Sequence, residues 1–168
     1  MTALYTLVAF VTLQRVTELV VARRNTKWLL GQGAVEVGRR HYPALVVLHT
    51  AWLGAILAFI PATAPLNPWL AAVYVALQGL RVWTIMTLGR RWTTRVICLP
   101  NAPLVRSGPY RFVKHPNYLI VVGEIAVLPL AFGAWRLALA FSLLNALVLF
   151  HRIRVEEQAL GINRAASQ

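Results

Sequence analysis

Long apolar runs alternate with short basic ones along this chain. Positions 3–22 are mostly apolar and are interrupted by Gln14, Arg15 and Glu18. Positions 43–60 (PALVVLHTAWLGAILAFI) form a second run, and 68–88 a third, opened by Pro68 at a favoured first-turn position. From Leu119 to Phe150 the chain stays apolar, broken by Glu124, Pro129, Gly133, Arg136, Ser142 and Asn145. A spanning helix needs about 20 such residues, because it rises ~1.5 Å per residue through ~30 Å of hydrocarbon. The last run is too long for one span, and its Pro129–Trp135 stretch offers a turn. The pattern therefore predicts five transmembrane helices, near 3–22, 43–60, 68–88, 118–131 and 135–155. The last two form a hairpin of short helices, and residues 1–168 make one domain.

Composition narrows the class. Of 168 residues, 58% are hydrophobic and 13% charged, against about 25% charged in a soluble domain. Mean hydropathy is +0.61. These values exclude a disordered chain and a small soluble globule. The single Cys98 excludes a disulfide scaffold and a cysteine-based zinc site. An all-α integral membrane protein remains. Residues 1–12 lack the basic segment and small-residue cleavage site of a signal peptide, so the first run reads as a span.

A net charge of +12 would suggest nucleic acid in a soluble chain. The positions of the charges explain it otherwise. Arg23, Arg24, Lys27, Arg39 and Arg40 fall between spans one and two. Arg90, Arg91, Arg95, Arg106, Arg111 and Lys114 fall between three and four, and Arg152, Arg154 and Arg164 follow the last span. The 61–67 loop has no basic residue, and the turn near 131–135 has Arg136 beside it. By the positive-inside rule the chain is a multi-pass protein of the cytoplasmic membrane, its N-terminus outside and its C-terminus inside. Its basic loops attract anionic membrane lipids, and no nucleic-acid partner is expected.

Ionisable residues inside spans are costly and mark candidate sites. Gln14, Arg15 and Glu18 share one face of the first helix. They form either a structural ion pair facing the bundle or the wall of a substrate pocket. Gln78 and Arg81 make a similar pair, read as packing. His49, about two turns into the second helix, reads as a hydrogen-bonded bundle histidine, and His41 and His151 as interfacial. No two histidines have a metal-binding spacing, so no metal is assigned.

Two clusters near the basic side are richer. Residues 100–118 read PNAPLVRSGPYRFVKHPNY. Pro103, Pro109 and Pro116 push their predecessors out of helical geometry, which frees backbone groups to bind something polar. Leu104, Val105, Tyr110, Phe112, Val113 and Tyr118 are expected to be buried, folding the loop against the bundle; a lipid-binding juxtamembrane loop is the alternative. The second cluster, His151 to Gln158, holds Arg152 and Glu156 one turn apart on one face. Carboxylates near a helix C-terminus oppose the macrodipole, so Glu156 and Glu157 point to function. Arg152 is expected to pair with Glu156 at rest.

The ordered set Leu104-Val105, Ser107-Gly108-x-Tyr110, Lys114-His115-Pro116-x-Tyr118, an apolar hairpin and Arg152-Ile-Arg-Val-Glu156-Glu157 resembles the isoprenylcysteine carboxyl methyltransferase family over about residues 90–160. The N-terminal half is similar to a bacterial branch associated with type III polyketide synthases. Gln14-Arg15-x-x-Glu18-Leu19 and the stretch from Gly33-Ala34-x-Glu36 to His41-Tyr42 carry that likeness. The resemblance implies a cytoplasm-facing pocket for S-adenosylmethionine, closed by the loop and the hairpin rather than by a Rossmann sheet. It assigns cofactor contacts to Ala102, Pro103, Leu104, Val105, Tyr110, His115, Pro116, Asn117, Tyr118 and Glu156. It makes Arg152 and Glu156 the catalytic pair, with Arg152 toward the acceptor. Gln14, Arg15 and Glu18 are the further substrate-binding candidates. Lys114 stands where the family motif usually has arginine, which preserves the charge but not a bidentate donor.

These residue types suit methyl transfer, an in-line displacement that mainly demands alignment. Tyr110 and Tyr118 supply flat walls with hydroxyl handles, and Arg152 can orient an anionic oxygen. A carboxylate acceptor needs no base, whereas a phenol or enol gains from one. The implied acceptor is a lipid-soluble molecule. The branch favours the hydroxyl of an alkyl-resorcinol or alkyl-pyrone, with a type III polyketide synthase as pathway partner. A prenylcysteine carboxyl and a phospholipid amine are the alternatives, and a small membrane transport or scaffold protein is the non-enzymatic one.

Overall fold

The computed structural model describes residues 2–39, 42–100 and 102–165. Arg40, His41 and Asn101 lie outside the described residues, as does the side chain of Arg164. Five helices follow in order: α1 (Ala3–Gly31), α2 (Tyr42–Phe59), α3 (Pro68–Leu88), α4 (Pro116–Leu130) and α5 (Trp135–Ala165). Two short strands, β1 (Val35–Val37) and β2 (Val96–Cys98), pair antiparallel, with Val35 opposite Cys98 and Val37 opposite Val96. The chain is mainly helical, as expected of an all-α membrane protein, and the ribbon is a small addition to it. Strands of three residues are too short for an alternating pattern to announce them.

Local chemistry explains the helix ends. Asn67 caps α3, its Oδ1 accepting from the backbone N–H of Trp69 and Leu70, and Pro68 follows at the first turn. The helix covers the third apolar run of the sequence. Helix α1 runs nine residues past its predicted end at 22, so Arg23, Arg24 and Lys27 lie on helix rather than in a loop. Arginine and lysine are good helix formers, and no glycine or proline intervenes before Gly31. Helix α5 likewise continues past 155, so the hairpin joins a short helix to a 31-residue one. Among the described residues, four helices are long and apolar enough to cross a membrane. The fifth, α4, has 15 residues and rises about 22 Å, short of ~30 Å of hydrocarbon.

The bundle carries large apolar side chains on its outside and a few charges within. Phe10, Leu13, Val47, Phe59, Val75, Leu143 and Leu147 face outward, whereas Glu18, Arg81 and Glu124 are buried. That inversion suits a lipid surround, where outward alkyl groups cost nothing and charges must find partners inside. The main apolar core joins the start of α1 (Leu4, Val8, Val11) to Trp52, Ile56, Tyr74, Ile125 and Leu128. Gly123 lets α4 approach α3 closely: a Cβ there would lie 2.9 Å from Leu77 Cδ1.

The two ends of the bundle differ. At one end the backbone N–H of Asn67 donates to the carbonyl of Ala131 (2.8 Å), bringing the 61–67 loop onto the α4–α5 turn. At the other, Asn25 Nδ2 donates to the carbonyls of Gly89 (3.2 Å) and Trp92 (2.8 Å), and Arg90 lies over the Trp28 ring. The ribbon and the 99–115 loop belong to this second end. Its 3-10 turn, Gly108–Arg111, docks on α3 through Gly108, whose positive φ and contact with Thr87 leave no room for a side chain. The charge asymmetry along the sequence thus becomes an asymmetry between the ends of the bundle.

Candidate functional site

Two polar clusters lie in and beside the bundle. The deeper one draws on α1, α3 and α4. Arg81 grips Glu18 with two nitrogens, Nε and Nη2, each at 2.6 Å. Arg15 bridges both carboxylates, reaching Glu18 Oε2 and Glu124 Oε2 at 2.8 Å each. Arg81 Nη1 also meets Glu124 Oε2 (3.2 Å), while Gln78 donates to Glu124 and Gln14 to Glu18. Two guanidiniums and two carboxylates cancel. The Arg15–Glu18 pair is therefore part of a four-charge network tying three helices together. Glu124, 2% exposed, is the member missed in the sequence, where it is one polar residue in an apolar run. Its signal was the scarcity of acids: each of the chain's five acidic residues is a glutamate, and each has a cationic or histidine partner.

The second cluster sits where the 99–115 loop, the start of α4 and the outer part of α5 meet. Tyr118 stands at its centre. Its hydroxyl donates to Glu156 Oε2 and accepts from Arg152 Nε (2.9 Å). Arg152 Nη2 donates to the carbonyl of Thr94 (2.7 Å), just before β2. The His115 ring stacks on Tyr118, with Nδ1 3.9 Å from Glu156 Oε1 and Nε2 3.3 Å from Glu157 Oε1. The expected Arg152–Glu156 pair is thus indirect. Tyr118 stands between the two, because the α4 ring reaches between the successive α5 turns that carry them. Burial, and then the Glu156 charge, pushes up the pKa of the Tyr110 hydroxyl and of the Cys98 thiol, so both stay protonated.

Two cavities flank this cluster. The larger reaches into the bundle between α1 and α2 and is walled by Leu19, Leu45, Val46, Leu53, Val121 and Leu149, among others. The smaller lies toward the basic end and is bounded by Arg91, Val96–Cys98, Tyr110, His115 and Glu156, among others. They share a wall made of Trp92, Thr93, Asn117, Tyr118 and Arg152. A mixed polar pocket holding a carboxylate and tyrosine walls suits a ligand with a cationic centre and a flat ring. An apolar cleft open along the bundle suits a lipid chain. A reaction between two such ligands would take place at the common wall.

The sequence-derived candidates distribute as follows. Tyr110, His115, Asn117, Tyr118, Arg152 and Glu156 line the smaller cavity. Arg15, Glu18 and Arg152 line the larger, whereas Gln14 stands behind Glu18. Ala102, Pro103, Leu104, Val105 and Pro116 line neither. Pro116 is buried in the first turn of α4. Pro103 acts at one remove, its carbonyl accepting from Arg91 Nη1 (2.7 Å), and Arg91 lines the smaller cavity. Leu104, Val113 and Phe112, expected to be buried, are exposed, Phe112 at 70%. The three-proline loop is held by its backbone and Gly108 rather than by these side chains, and apolar groups at the end of a membrane bundle can face lipid. His49 Nδ1 meets the Leu45 carbonyl (2.9 Å), as a bundle histidine should, yet the ring also lines the larger cavity. Trp92–Thr94 were missed altogether, because their role comes from a fold contact between α3, β2 and α5.

The chain has relatives among known proteins. The profile of the isoprenylcysteine carboxyl methyltransferase family matches residues 69–162. The chain is 38% identical over 158 residues to "Uncharacterized protein YpbQ" of Bacillus subtilis (strain 168), covering 92% of this chain and 94% of that one. It is 28% identical over 152 residues to an "Uncharacterized protein" of Haemophilus influenzae, covering 88% of each. No solved structure matches.

Proposed function

The chain belongs to the isoprenylcysteine carboxyl methyltransferase family of membrane methyltransferases, and from that premise we propose that it moves a methyl group from S-adenosylmethionine to an oxygen of a lipophilic acceptor. One observation carries the reading: a polar pocket and an apolar cleft share a wall, and Arg152 and Tyr118 stand in it.

When bound, the cofactor supplies an electrophilic methyl group on a sulfonium. Glu156 holds its cationic part, Tyr110 and Tyr118 give flat walls, and His115 and Asn117 close the pocket. Asn117 Oδ1 is buried without a partner, which is what a polar ligand would repair. Arg152 orients the acceptor oxygen. A guanidinium at the wall favours an anionic or acidic oxygen and repels a protonated amine, which sets the phospholipid amine aside. The acceptor enters sideways from the bilayer between α1 and α2, with its alkyl chain along Val46 and Leu53. The site faces the cytoplasm, where the basic end of the bundle belongs by the positive-inside rule.

The acceptor we favour is the hydroxyl of an alkyl-resorcinol or alkyl-pyrone, with a type III polyketide synthase supplying it. A prenylcysteine carboxylate is the second reading, favoured by the family description and by Arg152 itself. Calorimetry of the detergent-purified protein with S-adenosylhomocysteine tests the cofactor, and labelled S-adenosylmethionine with both acceptors tests the rest. Binding and label transfer are expected. A protein that does not bind S-adenosylhomocysteine would be a transport or scaffold protein instead.

A further inference from the structure

We propose that Tyr118 and Glu156 form a proton relay that removes the hydroxyl proton of the acceptor across the wall between the two cavities. The relay rests on the hydroxyl-acceptor reading above and supplies the base that reading lacks. A phenol ionises near pH 10, so at neutral pH its oxygen needs a base to become a good nucleophile. The larger cavity offers no ready carboxylate: Glu18 is held there by Arg15, Arg81 and Gln14. Glu156 lies on the far side, in the smaller cavity.

Tyr118 is the connection. It lines both cavities. Its proton already points at Glu156, and one oxygen lone pair already takes Arg152 Nε. A phenolic oxygen accepts two hydrogen bonds, which leaves one position for the acceptor hydroxyl. In the step, the acceptor oxygen bonds to the methyl carbon as the methyl–sulfur bond breaks, its electron pair staying on sulfur. The acceptor's proton passes to the Tyr118 oxygen while the Tyr118 proton passes to Glu156 Oε2. Tyr118 ends unchanged and Glu156 ends neutral. Arg152 stabilises the negative charge developing on the acceptor oxygen.

A way out for the proton is also in place. His115 faces Glu156 with one ring nitrogen and Glu157 with the other, and Glu157 is exposed. The groups facing Glu156 are then Tyr118 and, across Tyr118, Arg152 from within the wall, His115 from the loop, Tyr110 from the 3-10 turn and Cys98 from β2. Tyr110 and Cys98 stay protonated and do not compete for the proton. A carboxylate acceptor has no proton to give, so the relay is specific to hydroxyl acceptors.

The test uses the full chain in detergent, an alkylresorcinol and labelled S-adenosylmethionine. Tyr118→Phe keeps the ring and deletes the relay. Its rate at pH 7 should fall about 10²-fold and recover toward wild type as the pH nears the phenol's own pKa. A second readout needs no cofactor. An alkyl nitrophenol bound to the cofactor-free protein should show a weaker visible phenolate band in Tyr118→Phe than in wild type. Equal rates at pH 7, a loss that is the same at every pH, or equal phenolate bands would overturn the relay. If Tyr118→Phe does not fold, the wild-type rate is followed across mixtures of light and heavy water. Two protons in flight bow that dependence, and a straight line overturns the relay. A wild-type protein that methylates a prenylcysteine carboxylate but no alkylresorcinol would refute the hydroxyl reading itself, a different result from a relay that fails on a working acceptor.

Discussion

The two polar clusters use the same residue types and do different things with them. In the deep cluster Arg15, Arg81, Glu18 and Glu124 neutralise one another, and Gln14 and Gln78 fill further positions on the carboxylates. In the outer cluster Arg152 and Glu156 do not touch; Tyr118 keeps them apart. Closed ion networks in lipid hold helices together, because an unpaired charge there has nowhere to go. Open ones keep capacity for a ligand. Residue type alone therefore does not separate the two clusters; the way the charges are paired does.

The largest expected effect breaks the closed cluster. Glu124→Ala leaves two guanidiniums sharing one carboxylate in the bundle interior. Removing one partner of a buried pair costs about 3–5 kcal/mol, so the apparent Tm should drop by about 10 °C or more in a detergent melt. Molecules still folded should bind S-adenosylhomocysteine normally. A stable Glu124→Ala protein would mean that the deep cluster is not the brace described. The next effect falls on the open cluster. Glu156→Gln should weaken S-adenosylhomocysteine binding by about 10-fold or more, the equivalent of about 1.5–3 kcal/mol for a charge-assisted bond. Its Tm should barely move, because Glu156 is partly exposed at the end of the bundle. Calorimetry and a melt on one preparation read both, and unchanged affinity would remove Glu156 from the cofactor pocket.

How much of this was legible depended on distance along the chain. The long apolar helices were readable because apolar composition over about 20 residues is a local property, and Pro68 marked the start of α3. The ends of α1 and α5 were not readable. The hydropathy signal stops at the membrane edge, while Arg23, Arg24 and Lys27 go on forming helix beyond it. Arg152 and Glu156 could be picked out by their spacing on one helix. The Tyr118 hydroxyl between them could not, because it arrives from 34 residues away. Glu124 lies 109 residues from Arg15, and Trp92–Thr94 reach the wall through the ribbon. Local pattern carried the elements and the motif residues; the pairings between elements needed the fold.

In the proposed reaction Arg152 serves the acceptor rather than the cofactor, from a wall that both cavities share. Arg152→Ala is the direct test, with S-adenosylhomocysteine affinity and methyl transfer to an alkylresorcinol and a prenylcysteine measured on the same preparation. Intact affinity is expected, with a rate lower by about 10²-fold or more, some 2.7 kcal/mol of lost transition-state stabilisation. Affinity and rate falling together in proportion would contradict it, and would make Arg152 a brace for Tyr118 and the Thr94 carbonyl.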